Sequence, residues 1–365
     1  MRVLWVFDYL SAQVQRVAPM LAARPDISLD VMCRWNEEPP VDSSAIPLTF
    51  LHCRNKLDFA ARRAIRARIQ SGNYDIVHAY TSRNLANVIG ACRGLREQPK
   101  IIGYRGTVNQ LRLLDPANWI TFWHPRVSKI LCVCHTTEEA LAASNIPRSK
   151  LATVWEGCSP HSLQTPPLSA RSEFGIPDDA FVVGLVASIR PVKGIDLLLR
   201  AAIQLADLRN VYWLLIGQVS DSRVEALAAD TRIADRVRLT GPRPGAGNLA
   251  GLFDIYASPS RMEGLSMSIM EAMAQRVCPV VSNAGGLPEQ VQDETNGLVV
   301  PTENVEAIAD AIRRLHDDQP LRQRFADAAY DRAIREFSIE AWTTRLSKVY
   351  SDVCSDEIQA QHRAA

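Results

Sequence analysis

Short runs of β-branched and aliphatic residues alternate with stretches of helical period along most of this chain. In the first half, Val3–Phe7, Ser28–Cys33, Leu48–His52, Asp75–Ala79, Lys100–Tyr104, Lys129–Cys134 and Leu151–Trp155 predict strands, with helical segments between them. A second series follows at Phe181–Ala187, Val211–Gly217, Val237–Thr240, Asp254–Ala257, Cys278–Val281 and Gly297–Val300, separated by helices beginning near Ile195, Asp221, Asn248, Gly264 and Leu287. Such alternation predicts the α/β class, with two doubly wound parallel sheets covered by helices on both faces. Between them Ser159–Ser169, SPHSLQTPPLS, has three prolines and no apolar period, which predicts a linker and divides the chain into domains of residues 1–160 and 161–338. From Asn304 onward the pattern is helical. In the last segment, 339–365, Trp342, Leu346 and Tyr350 recur at spacing four, an apolar stripe that must dock on a neighbouring surface. Open parallel sheets bind ligands beyond the carboxyl ends of their strands, and clefts favour domain interfaces, so the chemistry is expected where two such domains face each other.

Composition narrows the class. With 365 residues, 47% hydrophobic and 22% charged, the chain has the makings of two globular cores and not of a disordered or fibrous protein. No apolar run approaches the 18 or so residues of a membrane span, and Arg2–Phe7 meets Asp8 too soon for a signal peptide, so a cytoplasmic location is expected. Eight cysteines without a C-x-x-C pair, and the absence of HExxH, argue for reduced thiols and no metal site. Cys132 and Cys134, two apart in an apolar run, read as core positions on one strand face.

The net charge of +1 hides an asymmetry: residues 1–160 carry 20 Lys and Arg against 13 Asp and Glu, whereas 161–365 carry 21 against 27. Part of the surplus is the stretch from Arg54 to Arg68, with Arg54, Lys56, Arg62, Arg63, Arg66 and Arg68 opposed by Asp58 alone. Wound as a helix around Ala61, Ile65 and Ile69, it suits a lobe resting on the anionic inner face of a membrane, an acidic substrate, or an ordinary solvated face. Nucleic acid is not expected as a partner, because the aromatic interleaving of single-strand binders is missing.

The most informative stretch is Ser258–Val291, SPSRMEGLSMSIMEAMAQRVCPVVSNAGGLPEQV. Glu263 and Glu271 are separated by seven residues. If one helix carries both, their carboxylates stand about 12 Å apart along its axis, too far to act on one atom but suited to the two ends of an elongated ligand. An anion is then favoured at the helix start after Gly264. The simpler reading is two carboxylates at a helix start that complement its dipole.

Glu263 and Glu271, then Ala272, Met273 and Ala274, Pro279–Val281, and Gly285, Gly286, Leu287, Pro288 and Glu289 together resemble the signature of the retaining glycosyltransferases of family four. The resemblance extends to Val186–Ala201, VASIRPVKGIDLLLRA, and to Val237–Gly241. It is strongest from Phe181 to Ile308 and looser at Asp75–His78 and Ile130–Gly157. It implies the GT-B fold, two Rossmann-like domains facing a cleft. The first domain serves the acceptor, the second binds the nucleotide sugar, and the terminal segment 339–365 crosses back to the first. It implies transfer of a sugar from a nucleotide diphosphate donor to a glycan or lipid-linked acceptor hydroxyl, with retention at the anomeric carbon and without a metal or other cofactor.

By the same resemblance Lys193 and Arg190 stabilise the departing diphosphate. Glu263 holds sugar hydroxyls with the backbone of Gly264, Leu265, Ser266 and Met267, and Glu271 accepts from the ribose. Three positions depart from the family pattern: Ser188 stands where an arginine is usual, the turn DYLSAQ after Phe7 lacks paired glycines, and Arg105 in GYRGT replaces a histidine near the reaction centre. Arg105 and His78 are candidates for contact with the acceptor or a phosphate; each also has a structural reading, as a salt-bridge partner and a satisfied strand-end histidine respectively. The rival activities on such a fold are a nucleotide-sugar epimerase, a phosphorylase and a non-catalytic nucleotide-sugar-binding protein.

Overall fold

A computed structural model describes residues 1–35, 46–112, 114–159 and 171–364, the last nine of these by their backbone alone. The chain divides into two compact units, Met1–Glu156 with Ile339–Ala365, and Gly157–Ser338. The expected linker lies outside the described residues from position 160 onward.

In the first unit seven strands, β1 (Arg2–Val6), β2 (Ser28–Cys33), β3 (Leu48–Phe50), β4 (Ile76–Ala79), β5 (Lys100–Arg105), β6 (Val127–Cys132) and β7 (Leu151–Thr153), lie in the order β3-β2-β1-β4-β5-β6-β7. Every neighbouring pair is parallel. The connecting helices are α1 (Ala12–Ala22), α2 (Phe59–Gly72), α3 (Ser82–Cys92), α4 (Pro116–Trp119) and α5 (His135–Ala142). Helices on both faces explain why the strands read as continuous apolar runs. In β1, Leu4 and Val6 enter the core beneath α2 and α3, whereas Val3 and Trp5 enter a second core with α1. Short polar side chains start the helices: Ser11, Asp58 and Thr81 each accept a backbone N–H from the first turn of α1, α2 and α3. β6 ends two residues earlier than its pattern predicts, so Cys134 is not on the strand; it precedes α5, buried, with Sγ 3.2 Å from Thr137 Oγ1.

The second unit contains β8 (Phe181–Val186), β9 (Val211–Ile216), β10 (Val237–Leu239), β11 (Ile255–Ser258), β12 (Cys278–Ser282) and β13 (Leu298–Val300), in the order β10-β9-β8-β11-β12-β13 and parallel throughout. Its helices are α6 (Ile195–Gln204), α7 (Ser222–Ala228), α8 (Met267–Met273), α9 (Leu287–Gln290), α10 (Val305–Asp317) and α11 (Gln319–Glu336). Two expectations fail here. The segment near Asn248 is a tight 3₁₀ turn, Ala246–Leu252, entered through Gly245 in the left-handed region at φ 64°. The helix expected from Gly264 begins only at Met267 and lasts seven residues.

The terminal helix α12 (Ile339–Ala364) belongs to the first unit, where Trp342, Leu346 and Tyr350 are buried with Trp5, Val14 and Leu21. A buried polar anchor is the Tyr350 hydroxyl, which accepts from Trp5 Nε1 at 2.8 Å and meets His78 Nδ1 at 2.7 Å. Trp5 has only an N–H to offer, so the hydroxyl oxygen accepts from it, and Tyr80 is a further hydrogen-bond partner of the same hydroxyl. Burial holds the His78 pKa down at about 3, and the imidazole is neutral. Among the described residues no helix is long and apolar enough to cross a membrane, and no group of three His, Cys, Asp or Glu is placed to hold a metal ion.

Tyr350→Phe keeps the ring but strands the Trp5 N–H and His78 Nδ1, a loss of about 1–3 kcal/mol for each buried group left unpaired. A fall in melting temperature of roughly 3–10 °C is expected by calorimetry. His78 also gives the first unit a pH dependence. Its folded pKa lies below the unfolded value of about 6.5, so the unfolded chain binds the extra proton and stability falls as pH drops from about 6.5 toward 3. Urea titrations of His78→Gln across that range are expected to show a shallower slope.

Candidate functional site

The site assembles in the second unit, at the carboxyl end of its sheet. After β8 the chain runs through Ala187–Ile189 to the 3₁₀ turn Pro191–Lys193, and Gly194 leads into α6. Gly194 is required twice over: its φ is 67°, and an added Cβ would stand 2.0 Å from the Pro259 carbonyl oxygen. That carbonyl belongs to the loop after β11. The two loops therefore meet because β8 and β11 are neighbours, at the point where the strand order reverses. The strands splay there, and Tyr256 spans the gap, accepting from the Val186 N–H at 3.3 Å and donating to the Val186 carbonyl at 3.0 Å.

Across this junction Lys193 Nζ donates to Glu263 Oε2, both side chains being largely shielded from water. The carbonyl of Glu263 accepts from Gly286 N–H at 3.1 Å, which ties its loop to the Gly285–Pro288 turn. Arg190 is exposed, and among the described residues its guanidinium has no side-chain or backbone partner. Ser188 is exposed as well, two residues closer to β8.

The backbone donors expected after Gly264 are only partly available. Gln290, fully buried, accepts from Ser266 N–H at 2.8 Å and donates to Ser266 carbonyl at 2.9 Å. This clamp holds Ser266 at φ −100°, ψ 112° and outside the helix. Glu263, Gly264 and Leu265 accordingly lie in a loop, so the two glutamates do not share one helix, and α8 is too short for its dipole to be the main anion-stabilising element.

Glu271 lies on α8, which packs on the Ala246–Leu252 turn. Gln275 fixes that contact, donating to the carbonyls of Gly247 at 2.7 Å and Glu271 at 2.9 Å and accepting from Gly251 N–H at 3.1 Å. Gly247 makes room for the carboxylate: a Cβ there would sit 2.5 Å from Glu271 Oε2. The spacing of charged residues carries no trace of this contact, which depends on a missing side chain.

Two first-unit candidates have side chains engaged by groups of their own unit. His78 is fully buried, and its Nδ1 is engaged by Tyr350, so it is not placed to touch an acceptor or a phosphate. Arg105, at the end of β5, donates to the carbonyls of Thr107 at 3.3 Å and Asn109 at 3.0 Å and lies over the Phe122 ring. It shapes the loop after β5, and burial lowers its pKa from the usual guanidinium value. In the glycine-poor turn after β1, Asp8 accepts from Arg83 at 2.7 Å and Ser11 caps α1. Of the basic stretch at α2, Arg62 bonds to Asn87 and the Lys56 carbonyl, Arg66 to the carbonyls of Ala91 and Arg93, and Arg68 to buried Asp30. Half of its cations are thus engaged within the unit.

Two family descriptions match the chain, Glycosyl transferases group 1 over residues 169–332 and Glycosyltransferase Family 4 over residues 11–161. D-inositol 3-phosphate glycosyltransferase of Corynebacterium aurimucosum is 29% identical over 305 residues, covering 79% of this chain and 69% of that protein. The enzyme of the same name from Mycobacteroides abscessus is 39% identical over 155 residues, 40% of this chain and 34% of its own. The chain spans about half the length or less of several such relatives. Among solved structures, a glycosyltransferase from Rickettsia africae ESF-5 superposes with a TM-score of 0.82 at 19% identity, over 96% of this chain and 98% of that one. Anabaena HepE in complex with UDP-glucose gives 0.77 at 18% identity, over 96% and 100%. One family match falls mainly on each unit, and the whole-chain likeness is to glycosyltransferases of GT-B architecture: the chain belongs to glycosyltransferase family four.

Proposed function

We propose that the chain transfers a sugar from a nucleotide diphosphate donor to an acceptor hydroxyl with retention of anomeric configuration. The observation that carries this reading is the Lys193–Glu263 pair at the strand-order reversal, one cation and one carboxylate presented by two loops that meet. Lys193, with exposed Arg190 three residues before it, meets the diphosphate; Glu263 and the loop through Gly264, Leu265 and Met267 hold the sugar; Glu271 accepts from the ribose hydroxyls. Ser266 serves through its side chain, its N–H and carbonyl both being engaged by Gln290.

In the reaction the bond between the anomeric carbon and the diphosphate oxygen breaks as the acceptor oxygen bonds to the same face. The acceptor proton passes to the departing phosphate. Cations fixed beside that phosphate act mainly in the transition state, where its charge is greatest. No metal is required for this role. The acceptor is a glycan, a lipid-linked molecule or, as the names of the relatives suggest, a phosphorylated polyol. For a lipid-linked acceptor, Arg54, Lys56 and Arg63 with exposed Leu57 and Phe59 offer contact with an anionic membrane.

A thermal-shift panel of uridine, guanosine and adenosine diphosphates and their sugars tests the reading, since a ligand selective for the folded form raises the melting temperature. UDP and UDP-sugars lead the panel because HepE of the same fold binds them. No shift with any member would reject the proposal.

The resting pair sets an outcome of unusual sign. Diphosphate must compete with Glu263 for Lys193, so Glu263→Gln is expected to tighten binding of the free diphosphate by about 3- to 10-fold while lowering turnover at least 10-fold. Calorimetry showing weaker diphosphate binding would remove the competition.

Gly247→Ala is expected to push the Glu271 carboxylate aside with little change in melting temperature, because the displaced atoms are the tip of a flexible side chain. Nucleotide affinity should fall by about 10-fold, approaching the roughly 10- to 100-fold loss expected for Glu271→Ala.

A further inference from the structure

Arg261 stands two residues before Glu263, and all five of its guanidinium N–H groups find acceptors. Nη1 donates to the Pro191 carbonyl at 2.6 Å and to Asp196 Oδ1 at 2.7 Å, Nη2 to Asp196 Oδ2 at 2.9 Å and Glu303 Oε2 at 3.3 Å, and Nε to Glu303 Oε1 at 2.5 Å. Its backbone N–H donates to the Val192 carbonyl at 2.8 Å. Three strand-end loops are joined through this one residue. Pro191, Val192 and Asp196 follow β8, Arg261 itself follows β11, and Glu303 follows β13.

The important acceptors are the consecutive carbonyls of Pro191 and Val192. The turn they belong to has only three residues and is closed by two local bonds, Lys193 N–H to the Arg190 carbonyl at 2.9 Å and Gly194 N–H to the Pro191 carbonyl at 3.2 Å. Arg261 fixes the peptide planes on which the Lys193 side chain is mounted. A long, flexible lysine is accurately placed only if its own backbone is held. Asp196, at the start of α6, is 2% exposed and orients the guanidinium in turn. Burial pushes the Asp196 pKa up, but the hydrogen bonds and charge of Arg261 outweigh it, and the carboxyl stays below its ordinary range. A lysine here has three donors at one point and no fork, so it does not reproduce the set.

We propose that Arg261 is a positioning residue that sets the Pro191–Lys193 turn for the diphosphate, with Asp196 and Glu303 as its supports. This rests on the reading above that Lys193 meets the diphosphate, and it adds a determinant that touches no ligand itself.

The test compares Arg261→Lys, Arg261→Gln and Glu303→Gln with Lys193→Ala. It measures melting temperature, affinities for UDP and uridine (or the pair selected by the nucleotide panel), and kcat and KM for hydrolysis of the corresponding nucleotide sugar. Both Arg261 variants are expected to lose about 10- to 100-fold of the preference for diphosphate over nucleoside and a similar factor in kcat. Their uridine affinity should stay within about 2-fold, and Glu303→Gln should show a smaller loss of the same kind.

Parallel loss of uridine and UDP binding together with melting temperature would mark Arg261 as merely structural and overturn the inference. If the Arg261 variants do not fold, Glu303→Gln decides, and an unchanged preference and kcat in that variant overturn it. Loss of preference in Lys193→Ala alone, with the Arg261 variants intact, overturns this inference and leaves the functional reading standing. No effect in Lys193→Ala overturns both.

Discussion

The adjacency of β8 and β11 is the constraint on which the second unit's chemistry depends. Every other neighbouring pair in that sheet is consecutive in sequence, so its connecting helix covers the space beyond the strand ends. At β8 and β11 the connections leave in opposite directions, and the loops beyond them are free to face each other. Tyr256 shows what the opening demands of the backbone. The ladder between the two strands ends at Gly184 and Tyr256, and the hydroxyl then satisfies both polar groups of Val186, which splaying would otherwise leave unpaired. Gly194 completes the junction by letting one loop touch the other at backbone distance.

How much of this is legible in the chain follows from the range of each interaction. Val3–Val6 and Val211–Ile216 are unbroken apolar runs because both sheet faces are covered, and a periodicity argument finds them; the thirteen strands among the described residues fall within two residues of their predicted ends. Lys193, Glu263 and Glu271 stand out through a local motif. Arg261 does not, because its partners Asp196 and Glu303 lie 65 and 42 residues away and neither separation follows from a helical or strand period. The overextended helix after Gly264 has the same origin. Leu265–Gln275 does have helical spacing, but Gln290, 24 residues on, occupies both backbone groups of Ser266 and starts the helix late. His78 looked available at a strand end because its partner Tyr350 is 272 residues downstream.

Charge counting misleads for a related reason. The surplus of Arg and Lys in the first 160 residues suggests a partner, yet Arg62 bonds to Asn87 of α3 and the Lys56 carbonyl, Arg66 holds the exit of α3, and Arg68 neutralises Asp30. Asp30, 2% exposed, also accepts from Arg2 and Tyr74. Guanidinium groups reach backbone carbonyls and buried carboxylates that an ammonium addresses less well, so an arginine-rich stretch is weaker evidence for an external ligand than its formal charge implies. The cations that do remain exposed, Arg54 and Arg63, are those whose exposure bears on a membrane or an acidic acceptor.

The Lys193–Glu263 pair gives the site a resting state that accounts for the density of supports around it. A half-buried lysine alone would favour any passing anion, and a half-buried carboxylate alone would be costly to desolvate. Paired, each satisfies the other. On the functional reading proposed above, a ligand must replace both partners at once, phosphate for the lysine and hydroxyls for the glutamate. Inorganic phosphate or a bare sugar offers only half of that exchange. Selectivity of this kind holds only while the two loops keep a fixed separation, since a loose pair would accept partial replacement. Gly194 against Pro259, Gln290 on Ser266 and Gly286 on Glu263 all act on that separation, from backbone positions that no ligand needs to touch.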